Sequence, residues 1–406
     1  MKLTKLSALL TFVFSGSALA GIVDATAVSQ PTGEGQQVNH VLLKYDQPQT
    51  KVQADKFSVN GRTVLKATSV VECAEKTVPY CDSPKSDLVL LTLEPADSGF
   101  VTAHVGREPS FERDVVLEVS DNRKAKAEKV TTSKLRQLVA ENFTQHVFTD
   151  EATGIKVLYN LYVPKNYDPK KSYPLVMFIH DAGSTNSNVK NTLYQGNGAA
   201  VWAMPEFQAR HEAFVLAPQF DHTITNDQSD DPADLDPTIN LIKSLSKAYN
   251  IDQNRLYTTG QSGGAMMSIA MNIKYPDFFA ASYIVAGQWE PTKTAPMAKN
   301  KLFILVSEKD PKAFPTEKEI VKVLAANGGV VKESFGWNGE ASIDELNENV
   351  KALLAQGGNI HFATFAGGSL KHEKLRSDMP AIAHMATWKV AYNITAIQDW
   401  LFSQRK

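Results

Sequence analysis

Arg255-Leu256-Tyr257-Thr258-Thr259-Gly260-Gln261-Ser262-Gly263-Gly264-Ala265-Met266-Met267-Ser268-Ile269-Ala270 is the stretch on which the reading of this chain turns. Its opening, ending in Leu-Tyr-Thr-Thr, reads as a strand, and its close, rich in Ala and Met, reads as a helix. Between them stands Gly-x-Ser-x-Gly. Chance supplies that pattern in roughly one chain in ten of this length. Flanked by a strand and a helix it describes a nucleophile elbow, a sharp turn that presents a serine hydroxyl at the carboxyl edge of a sheet. The glycines meet a physical need, because the serine backbone is strained there and neighbouring side chains would collide. Ser262 also falls beside a helix N-terminus, whose partial positive charge favours an anionic intermediate.

Working outward, Tyr173-Pro174-Leu175-Val176-Met177-Phe178-Ile179 is a continuous apolar run of the kind buried on both faces of a sheet. Val157 to Val163 alternates like a strand, and further strands are expected at Ala213 to Ala217, Ala281 to Ala286, Leu302 to Val306 and Asn359 to Phe365. Helical patterns at Asp236 to Tyr249 and Gly264 to Tyr275 lie between them. Strands alternating with helices predict a mostly parallel sheet with helices on both faces. Gly328 and Gly357 read as helix C-caps.

Before residue 148 the rhythm differs. Val41 to Tyr45, Phe57 to Val59, Leu88 to Leu93 and Val115 to Val119 are short β-rich runs, with Asn60-Gly61 and Ser98-Gly99 as turns. They predict a small all-β sandwich of immunoglobulin-like type over 21–122. Lys124 to Asn142 is charged and helix-permissive, so 123–147 reads as a connector and 148–406 as the second domain.

Residues 1–20 have Lys2 and Lys5, an apolar run from Leu6 to Phe14 and a small-residue end, Ala18-Leu19-Ala20. This predicts a signal peptide cleaved after Ala20 and a secreted or periplasmic protein; the apolar run is too short for a membrane span. In such a compartment Cys73 and Cys81 are expected to form a disulfide, with two free thiols as the alternative. Two cysteines without a nearby histidine supply too few ligands for a metal. A formal net charge of -2 recruits no nucleic acid.

Chemistry at an elbow serine needs oxyanion donors, a base and an acid. The backbone N–H of Gly263 supplies one donor, and the loop His180-Asp181-Ala182-Gly183-Ser184 offers the second from Ala182 or Gly183. His180 reads as a structural residue of that loop, with a catalytic role as the alternative. The acid and base follow the nucleophile in chain order. Asp310, after the strand ending at Val306, is the natural acid and Glu308 the runner-up. Of His361, His372 and His384, the first falls within a strand, the second in a charged solvated run, and His384 just before the final helices.

At this point Ile251-Asp252-Gln253-Asn254-Arg255-Leu256-Tyr257 through Ser262, then Asn272-Ile273-Lys274-Tyr275-Pro276-Asp277-Phe278-Phe279-Ala280-Ala281, resembles a group of secreted bacterial α/β-hydrolases. They are described as predicted peptidases or prolyl-oligopeptidase-like esterases, some with an N-terminal immunoglobulin-like domain. Ala286-Gly287-Gln288-Trp289 and the ending from His384 to Phe402 share in the resemblance, which spans about 150–406. It implies the α/β-hydrolase fold, with Ser262 as nucleophile, Asp310 as acid and His384 as base. This chain departs from the group at Gly263, where a bulky residue is common and whose small size is expected to widen the site. It departs also at Asp181, where many have glycine, and in Gly368 to Ala383, which reads as an insertion.

The expected function is hydrolysis of carboxylic esters, of feruloyl or polyester type among others, through an acyl-enzyme and with no cofactor. A secreted serine peptidase is the first alternative, although no propeller or similar domain is present to select peptides. A surface binding protein with a vestigial hydrolase domain is the second. Trp202, Trp289, Trp337 and Trp388 either line an aromatic pocket or pack in the core.

Overall fold

Nine strands make the main sheet, and Ser262 follows the end of one of them. In chain order they are β1 (Thr144–Thr149), β2 (Lys156–Tyr162), β3 (Tyr173–Ile179), β4 (Phe214–Gln219), β5 (Ile251–Gln261), β6 (Ala281–Val285), β7 (Leu302–Ser307), β8 (Val331–Trp337) and β9 (Ile360–Phe365). In space they run β1-β2-β4-β3-β5-β6-β7-β9-β8. The β1-β2 and β2-β4 pairs are antiparallel and the other six are parallel. This computed structural model describes residues 21–103, 109–123, 126–371 and 382–406. The expected leader lies outside them, as do His372 and most of the expected insertion.

Every residue of β3, β6, β7 and β9 is buried, so these strands are covered on both faces and their mostly apolar sequences follow from that environment. The helices Leu235–Ala248, Gly263–Lys274, Ala313–Ala326 and Ile343–Leu354 connect successive parallel strands. Their apolar stripes, such as Leu235, Ile239, Ile242 and Leu245, close over the sheet. This is the α/β-hydrolase fold. The strand order reverses around β3, β4 and β5, so loops from those strands meet at one carboxyl edge, where ligands gather in open parallel sheets.

The N-terminal residues form a six-stranded, a three-stranded and a two-stranded sheet. In the largest, Ile22–Thr32 and Gly35–Gln49 make a long hairpin, and Lys134–Gln137 adds in parallel to the first of them. Glu128–Thr131 joins the three-stranded sheet beside Glu118–Asp121. The helix-permissive connector read from 124–142 is thus corrected: Glu128–Thr131 and Lys134–Gln137 are strands that belong to the N-terminal sheets, and β1 follows at Thr144. The strand expected at Val115 to Val119 begins instead at Glu118. Cys73 and Cys81 are disulfide-bonded, with Cα atoms 5.8 Å apart. Apolar side chains of both regions, Val38 and Leu91 on one side and Phe178 and Trp202 on the other, lie in one continuous core.

Candidate active site

β5 ends at Gln261, Ser262 makes the turn, and the helix Gly263–Lys274 begins at once. Ser262 has φ 51° and ψ −120°, a conformation that side chains rarely adopt and that persists only where packing imposes it. The packing is visible in the glycines. A Cβ on Gly264 would stand 2.0 Å from the carbonyl oxygen of Ile179, and one on Gly260 would stand 2.5 Å from the Gly264 carbonyl carbon. The strand, the helix start and the end of β3 therefore touch backbone to backbone, and larger residues would push the serine out of place.

Ser262 Oγ donates to His384 Nε2 at 2.8 Å, and the Nδ1 side of the same ring donates to Asp310 Oδ2. His384 lies in the first turn of the helix Ile382–Ala391, not ahead of it, and the Trp388 ring one turn later meets the imidazole edge to face, centroids 4.9 Å apart. Asp310 is buried. Its other oxygen accepts from the N–H groups of Ala313 and Lys312 at 2.8 and 3.0 Å, at the start of the helix Ala313–Ala326. Burial alone would raise the Asp310 pKa, but hydrogen bonding and charge from His384, with those two N–H groups, outweigh it and hold the carboxyl below its ordinary value.

The other candidates have separate duties. Glu308 accepts from Thr364 Oγ1 at 2.8 Å. His361 is buried on β9 between the rings of Phe303 and Trp400. His180 donates from Nδ1 to the Asp181 carbonyl at 2.7 Å and accepts the Phe220 N–H on Nε2 at 3.0 Å. Burial lowers its pKa, and the neutral ring holds the loop after β3 against the loop after β4.

A cleft of about 350 Å³ opens at the serine, bordered by Ala182, Thr225, Met266, Ala286, Pro311 and His384 among others. Gly263 and Ala182 both border it, whereas Gly183 does not. The Ala182 nitrogen lies 3.4 Å from where a Gly263 Cβ would be, so the two N–H-bearing residues are neighbours. The expectation that Gly263 widens the site is corrected, because Thr225 Oγ1 stands 3.2 Å from that same Cβ position and fills the space. None of the four tryptophans borders the cleft, and all are buried in the core.

The sequence marks Asp181 only as a departure from the resembled group and leaves its contacts, and those of Asp227, unseen. Asp181 Oδ2 accepts from Gln261 Nε2 at 2.9 Å and from Ser184 Oγ at 3.2 Å, binding the loop after β3 to the residue before the serine. Across the cleft mouth Asp227 accepts from Gln288 Nε2 and pairs with Lys312 Nζ, both at 2.6 Å. The available signal was position: Phe220 to Asp234 is a polar loop at the carboxyl end of a strand near the elbow.

No family model matches the chain. It is 28% identical over 148 residues to a probable acetylxylan esterase A of Aspergillus flavus, covering 34% of this chain and 44% of that protein. It is also 28% identical over 130 residues to a probable feruloyl esterase C of Aspergillus terreus, covering 32% and 46%. A putative esterase, NocK, of Nocardia uniformis is 25% identical over 142 residues, covering 34% and 40%. The chain thus spans under half the length of these curated relatives. The crystal structure of a thermostable esterase superimposes with a TM-score of 0.76, at 22% identity, over 95% of this chain and 100% of that one, which shows a shared fold.

Proposed function

We propose that this protein is a serine hydrolase that cleaves carboxylic esters, with Ser262 as nucleophile, His384 as general base and Asp310 as the residue that orients the base. The observation that carries the reading is the hydrogen-bonded line from Ser262 Oγ through His384 to Asp310 at the mouth of a cleft. Esterase relatives on the sequence side support it.

In this reaction Ser262 Oγ attacks the ester carbonyl carbon while His384 Nε2 takes its proton. Charge develops on the carbonyl oxygen, and the N–H groups of Gly263 and Ala182 stabilise it. His384 then protonates the departing alkoxide, leaving an acyl-serine. Water repeats the sequence on the acyl-enzyme and releases the acid. Asp310 stabilises the imidazolium formed in each half. Among the described residues, Met266, Ala286 and Pro311 give the cleft apolar walls that suit the acyl group of an ester.

Secretion after cleavage at Ala20 belongs to the same proposal. So does the division into an N-terminal immunoglobulin-like sandwich and a C-terminal catalytic domain, with the boundary moved to about residue 143. The test uses p-nitrophenyl acyl esters beside peptide anilides, together with fluorophosphonate labelling. Wild type is expected to hydrolyse the esters, ignore the anilides and label at Ser262. Absence of labelling in folded protein overturns the serine hydrolase reading, and preferred cleavage of anilides replaces esterase by peptidase.

A further inference from the structure

The turn that closes the N-terminal hairpin sits on the helix that carries His384. Ile22–Thr32 and Gly35–Gln49 pair as far as Thr32 and Gly35, leaving Gly33 and Glu34 at the tip. Thr32 Oγ1 donates to the Gly35 carbonyl at 2.8 Å and accepts the Glu34 N–H at 3.2 Å, so the tip has a fixed shape. A Cβ on Gly33 would stand 2.1 Å from the Lys389 carbonyl oxygen, which is inside any permitted contact. One on Gly35, where φ is +138°, would stand 2.7 Å from the Tyr194 carbonyl oxygen. Glu34 Oε2 pairs with Lys389 Nζ at 2.6 Å, with both side chains partly covered. The tip is thus seated against Lys389 on one side and Tyr194 on the other.

Lys389 stands five residues after His384 in the helix Ile382–Ala391. The end of that helix is held from the catalytic side by Tyr283 OH, which donates to the Ala391 carbonyl at 3.1 Å, and by Asn197 Nδ2, which donates to Asn393 Oδ1 at 2.6 Å. The hairpin tip adds a backstop at Lys389 from the N-terminal side. The N-terminal region also reaches the loop after β3: Ser110 Oγ meets Asn191 Oδ1 at 2.6 Å, and Asn191 Nδ2 donates to the Ser184 carbonyl at 2.8 Å.

We propose that Gly33 and Glu34 are positioning residues for hydrolysis, holding the helix of His384 so that its imidazole keeps reach of Ser262. The inference rests on the reading of His384 as the base. A base must lie within hydrogen-bond distance of the proton it takes, and a displacement of the order of 1 Å can cost about a hundredfold in rate. The N-terminal domain, on this account, completes the active site from behind.

The experiment compares full-length Gly33→Ala and Glu34→Lys with wild type for kcat and KM on p-nitrophenyl acetate, rate of fluorophosphonate labelling, and Tm. Gly33→Ala forces the tip off Lys389, and kcat and the labelling rate are expected to fall together, about tenfold, with KM within twofold. Glu34→Lys sets like charges face to face, so a smaller loss is expected that recovers in 1 M salt, where such repulsion is screened. Cys73→Ser with Cys81→Ser serves as the control, lowering Tm in the same region while kcat stays. If Gly33→Ala does not fold, Glu34→Lys carries the test. The proposal is overturned if the folded variants keep kcat and labelling within twofold of wild type, whatever their Tm. Should Ser262→Ala or His384→Ala instead remain active, the assignment of the triad itself fails, and the two failures are distinct.

Discussion

Asp181 and Gln261 are hydrogen-bonded across 80 residues of sequence, Oδ2 to Nε2 at 2.9 Å, and their contact fixes the distance between the loop of Ala182 and the turn of Ser262. The proposed oxyanion donors follow closely, Ala182 one residue after Asp181 and Gly263 two residues after Gln261. The bond therefore sets how well the donors converge on one oxygen.

Asp181→Ala is accordingly expected to lower kcat/KM on p-nitrophenyl acetate about tenfold, less than the 10²–10³ that follows outright loss of an oxyanion donor. Circular dichroism is expected to stay that of the wild type. Unchanged kinetics would mean that His180 alone holds the loop.

The proposed triad makes graded demands. His384→Ala is expected to reduce kcat by about a thousandfold or more, since losing one member disables the unit. Asp310→Asn is expected to cost on the order of 10⁴-fold, because the amide favours the wrong imidazole tautomer. Steady-state kinetics on purified folded variants checks both, and near-wild-type turnover by either removes that residue from its role.

Much of this arrangement was legible in the sequence where local chemistry is distinctive. The buried strands β3, β6 and β7 announce themselves by largely apolar runs, and the elbow by glycines that backbone contact demands. The edge strands were not visible for the same physical reason in reverse. β1 is almost wholly exposed and β8 mixes Lys332, Glu333 and Ser334 with Phe335, so neither carries a burial pattern. Lys134–Gln137 and Glu128–Thr131 are short and charged, and their pairing partners lie up to about a hundred residues away. The base could be ranked because only His361, His372 and His384 follow the serine, and the acid because Asp310 comes just after the strand ending at Ser307. Asp181, Thr225 and Asp227 matter through contacts that only the folded chain creates, and no local pattern marks them.

The disulfide joins cysteines eight positions apart, neither of which borders the cleft. Its removal by Cys73→Ser with Cys81→Ser is expected to cost about 2 kcal/mol, chiefly by freeing the unfolded chain. Chemical denaturation reads the loss, and esterase activity measured below the transition is expected to be unaltered. A loss of activity at full folding would tie this loop to the site.

Glu317 offers the last prediction, because it is a carboxyl group buried behind the site with little to hold a charge. It is 1% exposed, Oε1 accepts from the Gly287 N–H at 2.8 Å, and Oε2 has no partner among the described residues. Burial first, then the charge of Asp310, push its pKa well above the ordinary value, the Gly287 bond opposing only in part. The folded protein therefore keeps the proton while the unfolded chain releases it near the usual glutamate range of about 4.3. With more protons bound folded than unfolded, stability falls as pH rises above that range and goes on falling until the folded pKa is reached. Glu317→Gln preserves the acceptor for Gly287 and removes the titration. The variant is expected to match wild type in Tm near pH 4 and to exceed it progressively toward pH 8, with kcat retained. Glu317→Ala, which strands the Gly287 N–H, is expected to be less stable at every pH, by about 1–3 kcal/mol for the unsatisfied donor alone. A Glu317→Gln variant less stable than wild type at pH 8 would show that the carboxylate is ionised and partnered in the folded state, and would sink the argument.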